Sequence, residues 1–166
     1  MDYPAAGRKT LIQIMSFHMA GYRHTLALHG PIGQQSPMRV AIVENTAITH
    51  HGQVGVALHE AAARIDLYKP WRDGALPAAG DHDALVVFGG EQSALDDARC
   101  PWLPELARLM RDSSAMDRAV LGICLGAQIL ARGFGAENRL GAAPEFGWVS
   151  IGLTGDGRVD PVLSAA

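Results

Sequence analysis

The sequence predicts an α/β protein built on a parallel sheet with crossover helices, and three observations predict it. Short β-rich runs alternate with stretches of helical periodicity, and a glycine-flanked cysteine follows the last of those runs directly. Hydrophobic residues make up 48% of the 166, enough to bury the core of one globular domain. Strands are expected at "RVAIV" from Arg39, "RIDLYK" from Arg64, "DALVVF" from Asp83 and "AVLGI" from Ala119. Between the first two, Val54, Leu58, Ala61 and Ala62 recur at helical spacing. Between the third and fourth, Leu103, Leu106, Ala107 and Met110 do the same, so each stretch predicts an amphipathic crossover helix. Another helix is expected just after Cys124, running through Gln128, Ile129 and Leu130 to the breaker "GFG". After it, "PEFGWVSIGLT" and "GDGRVDP" read as a strand with turns.

The organised part of the chain is expected to span residues 38–166. Residues 1–37 read as a poorly ordered extension: they carry Arg8, Lys9 and Arg23 against Asp2 alone, and their apolar stretch is broken by Gln13, His18, Arg23 and His24. A net charge of -3 without a basic stripe argues against nucleic acid as a partner. No apolar run of about 18 residues is present, so no membrane-spanning helix is expected. Cys100 and Cys124 are too few for a disulfide framework and lack zinc-ligand spacing, which fits a reduced, cytoplasmic setting with no metal and no cofactor. Cys100, beside Pro101 and Trp102, reads as structural, and Glu91, Asp96 and Asp97 as loop and cap residues.

Loops that follow parallel strands gather at one sheet edge, where ligands bind in such folds. By that rule "ENTAITHHG", "GGEQS" and the turn at Cys124 share an edge, while His82 and Asp83 fall at the opposite one and are expected in solvent. Gly122-Ile123-Cys124-Leu125-Gly126 has the spacing of a nucleophile elbow between strand and helix. A Cβ at either glycine would collide with the neighbouring strand or helix, and the helix N-terminus favours a thiolate at Cys124. The amide of Leu125 is a candidate oxyanion donor, with the Gly89-Gly90 backbone as the source of a second. "THHG" reads as a polar turn capped by Thr49, with a catalytic role for His50 or His51 the lesser alternative. Glu44, at the end of the first strand, could bring a carboxylate to the thiol.

Three segments resemble the class I (triad) glutamine amidotransferases: "LGICLGAQILARGFGA", "DALVVFGGEQSALDD" and "PEFGWVSI", within a likeness running from Met38 to about Leu153. The stand-alone, GMP-synthase-like members are the nearest in pattern. The resemblance implies a three-layer, doubly wound, mostly parallel sheet of flavodoxin-like kind, incomplete at its C-terminal side. It implies L-glutamine as substrate, a γ-glutamyl thioester on Cys124, and ammonia released to a synthetase or acceptor-substrate partner. It assigns oxyanion amides to Gly90 and Leu125 and glutamine contacts to Gln128, Gly89 and Gly90; Glu145 falls in a matching segment without an assigned role. The family completes its triad with a histidine and a glutamate in a downstream H-x-E motif, whereas here His18, His24, His29, His50, His51, His59 and His82 all precede Cys124. The expectation is therefore a truncated, weakly active or inactive amidotransferase domain. Two alternatives stay open: a cysteine-elbow hydrolase using Glu44 or a loop histidine, and a glutamine-binding regulatory protein without turnover.

Overall fold

The computed structural model describes residues 36–139, 150 and 152–160. Four strands, β1 (Arg39–Val43), β2 (Arg64–Tyr68), β3 (Ala84–Val87) and β4 (Ala119–Gly122), form one sheet in the order β2-β1-β3-β4. All three pairings are parallel, and their register sets Tyr68, Val43, Val87 and Gly122 in one row at the C-terminal edge. Both sheet faces are covered, which is why the central strands read as unbroken apolar runs rather than as an alternation. On one face Ala41, Val43, Leu85 and Val87 pack with Leu103, Leu106 and Met110 of α3 (Leu103–Ala115) and with Leu125 and Ile129 of α4 (Leu125–Gly133). On the other, Val40, Ile42, Val86 and Phe88 lie beneath Val54 and Leu58 of α1 (Gly52–Glu60). A one-turn α2 (Pro70–Asp73) follows β2.

The last two apolar positions assigned to the first crossover helix, Ala61 and Ala62, lie beyond its end. Ala62 sits at φ 52°, its N–H donates to the His59 carbonyl and the Ala63 N–H to the Leu58 carbonyl, which is a Schellman stop. Helix α3 stops the same way around Asp117 (φ 56°) and α4 around Gly135 (φ 80°). Only the last of these uses the glycine that would announce such a stop in a sequence. The C-terminal "GDGRV" is the short helix α5 (Gly155–Val159), entered through the Thr154 hydroxyl, which accepts from the Gly157 N–H at 3.1 Å, so the expected turns there are corrected to a capped helical turn. Most of the expected strand at "PEFGWVSIGLT" and nearly all of the extension at 1–37 lie outside the described residues, and the described positions 150 and 152–154 are not in a strand.

Candidate active site

Cys124 stands where the sequence places it, between β4 and α4, with φ 54° and ψ -113°. A left-handed backbone at a non-glycine residue costs about 1–2 kcal/mol, so the surrounding packing must impose it. Two close approaches do so. A Cβ on Gly122 would lie 2.5 Å from the Gly126 carbonyl oxygen, and one on Gly126 would overlap the Val87 carbonyl outright. The strand, turn and helix therefore close on themselves only with glycine at both positions. The thiol projects from the N-terminus of α4 and is exposed. Leu125 is the first residue of that helix, where the N–H has no intrahelical acceptor and points toward the edge that the thiol occupies.

Gly89 and Gly90 follow β3 after Phe88. A Cβ on Gly89 would stand 3.2 Å from the Cys124 Cβ and 3.7 Å from its Sγ, so this backbone lies directly against the thiol. One on Gly90 would meet the Gln92 Oε1 at 2.5 Å and a Leu125 methyl at 3.1 Å. The loop is fixed by residues that the sequence did not single out. Buried Asn45 donates from Nδ2 to the Phe88 carbonyl at 2.9 Å, accepts at Oδ1 from Trp102 Nε1 at 3.1 Å, and its carbonyl accepts from Gln92 Nε2 at 3.0 Å. Arg132 of α4 grips the same loop through paired bonds to Asp97 (2.6 and 2.7 Å) and one to the Ala94 carbonyl (2.8 Å). An amide directly after an apolar strand on the ligand edge is the signal that would have found Asn45. Asp97 and Asp96 are ion-pair partners of Arg132 and Arg99, which hold both carboxyl groups below the usual range.

Glu44 is 5% exposed and has both oxygens engaged: Oε1 accepts from His51 Nε2 at 2.9 Å and Oε2 pairs with Lys69 Nζ at 3.0 Å. A carboxylate only accepts, so this contact places a proton on His51 Nε2. The His51 ring also stacks on Phe88 at 4.9 Å between centroids. Three edge elements thus meet in one carboxylate, which is directed at His51 and Lys69. The expected Thr49 cap is corrected: Thr49 Oγ1 donates to the Thr46 carbonyl, and the residue before α1 is His51, without a side-chain cap. Gln128 is exposed on α4, its N–H bonded to the Cys124 carbonyl at 3.3 Å. Cys100 is buried, and burial followed by the charge of Asp96 pushes its thiol pKa up. His82 lies at the opposite edge as expected but not in solvent. It is 7% exposed, with Nε2 donating to Asp66 at 3.0 Å, because the loop before β3 folds under the sheet. Among the described residues, no group of three or more His, Cys, Asp or Glu side chains could hold a metal ion, and no helix is long and apolar enough to cross a membrane. Glu145 lies outside the described residues.

A parallel α/β sheet with a cysteine on a glycine-locked elbow defines a cysteine-elbow protein, and comparison with known proteins narrows that class. The glutamine amidotransferase-like protein YfeJ of Salmonella typhimurium is 35% identical over 91 residues, 53% of this chain and 38% of its own length. A solved glutamine amidotransferase from Methylobacillus flagellatus superposes with a TM-score of 0.56 at 36% identity, over 60% of this chain and 40% of its own. The solved protein SMU.1228c superposes with a TM-score of 0.67 at 25% identity, over 76% and 56% respectively. No family model matches. In sequence and fold the chain is similar to glutamine amidotransferases, and it spans about two fifths of the length of the curated relative that it matches.

Proposed function

We propose that this domain carries the nucleophile and oxyanion parts of a glutamine-hydrolysing site. The Cys124 thiolate attacks the side-chain amide carbon of L-glutamine, and the Leu125 and Gly90 N–H groups stabilise the oxyanion. The C–N bond then breaks as the nitrogen takes a proton from solvent water and leaves as ammonia, and a γ-glutamyl thioester remains for water to cleave. Gln128 and the Gly89-Gly90 backbone hold the substrate, and an acceptor-substrate partner of GMP-synthase-like kind takes up the ammonia. The observation that carries this reading is Cys124 at φ 54° on an elbow closed by Gly122 and Gly126, with the Gly89 backbone against its sulfur. A chloroketone analogue of glutamine should label Cys124, and L-glutamine should protect it; labelling that glutamine does not slow would end the proposal.

The Lys69–Glu44–His51 contacts favour a second reading, a cysteine-elbow hydrolase whose base is His51 oriented by Glu44. It predicts that Glu44→Gln changes the pH dependence of Cys124 alkylation. A titration superimposable on that of the parent protein would sink it.

A further inference from the structure

The edge of the sheet opposite Cys124 holds two buried polar atoms that the proposed chemistry does not use. His82 Nδ1 and Arg118 Nε have no hydrogen-bond partner among the described residues, and both residues line one cavity of about 10 Å³ with Ala41, Gly80, Leu109 and Ser113. Leaving a buried donor or acceptor unpaired costs about 1–3 kcal/mol, and because both residues line one space a single partner could serve the two atoms.

The chemistry of the pair selects the partner. Asp66 accepts from His82 Nε2, so in the neutral imidazole that nitrogen holds the proton and Nδ1 offers a lone pair. Arg118 Nε can only donate. One molecule must therefore give a proton to the histidine and take one from the arginine, which water does and a halide or carboxylate cannot. A space of about 10 Å³ is at the size that admits a single water. Ser113, buried on α3, brings a hydroxyl for the second O–H.

We propose that this cavity binds one ordered water, which donates to His82 Nδ1 and accepts from Arg118 Nε. The water extends a polar seam across the starts of the strands. Arg39 on β1 donates to Asp66 on β2 at 2.7 Å, Asp66 accepts from His82 ahead of β3, and the water carries the connection to Arg118 ahead of β4. A crystal structure grown with bromide replacing chloride tests it. The expected result is one peak within about 3.2 Å of both atoms, without anomalous signal, and its loss in the Arg118→Met variant. An anomalous bromide peak would make the site an anion site with a protonated His82, and an empty cavity or a peak that survives unmoved in Arg118→Met would equally overturn the proposal. Neither outcome bears on Cys124, so this inference and the glutaminase reading stand or fall separately.

Discussion

At Cys124 and Cys100 the same side chain meets two environments, and the difference is measurable. Cys124 is exposed at a helix N-terminus, whereas Cys100 is buried with its thiol pKa raised, so it presents less thiolate at any pH. Native protein should take up one equivalent of iodoacetamide at neutral pH and a second only after denaturation, with the first on Cys124 by peptide mapping. Equal reactivity of the two would contradict the geometry. The elbow glycines give a second residue-scale expectation. Because a Cβ on Gly126 overlaps the Val87 carbonyl, which belongs to the sheet backbone and cannot swing away, Gly126→Ala should cost about 3 kcal/mol. A urea midpoint within error of the parent would show that the elbow has slack. These residues were legible because a glycine pair around a cysteine encodes a steric requirement. Asn45 and Glu44 were less legible, since their partners Trp102, Gln92, His51 and Lys69 become neighbours only through the sheet register.

Helix ends show the same division between local and tertiary information. The starts and apolar stripes of α3 and α4 follow from periodicity, but the stop at Ala62 carries no glycine, and the first crossover helix ends two residues short of the last apolar position expected in it. Alanine in the left-handed region is strained where glycine is not, so Ala62→Gly should stabilise the protein by about 0.5–1 kcal/mol, read as a raised denaturant midpoint. The clamp between α4 and the loop after β3 adds a pH-dependent term. Arg132 lowers the Asp97 carboxyl pKa through its paired hydrogen bonds, so this interaction stabilises above the ordinary carboxylate pKa and is lost as pH falls through the folded value. Asp97 is 43% exposed, so solvent screening keeps the contribution to about 1 kcal/mol. Arg132→Ala should lower stability by that amount at pH 7 and by progressively less as pH falls below the ordinary carboxylate pKa; a pH-independent difference would mean the Ala94 carbonyl bond carries it.

Across the whole molecule the parallel sheet separates function from anchorage. Every strand enters at the edge of Arg39, Arg64, His82, Asp83 and Arg118 and leaves at the edge of Glu44, Asn45, Gly89, Gly90 and Cys124. Strand direction is readable from the βα alternation, and the loops after β1, β3 and β4 share one edge as it implies. Asp83 is exposed, as its place before a strand implies, whereas His82 beside it is buried because Asp66 on the neighbouring strand accepts from its ring, a contact that only the sheet register creates. Bonds from Arg39 and then His82 hold the Asp66 carboxyl below its usual pKa, so the seam stabilises the fold at neutral pH and fails as pH drops through that lowered value. Asp66→Asn should therefore lower the melting temperature at pH 7, with the gap closing toward pH 3. The Cys124 alkylation rate should stay unchanged in the folded variant, because the strands between the two edges are rigid and buried. A changed thiol rate with an intact fold would show that the seam reaches the elbow, and the two edges would then have to be treated as one coupled unit.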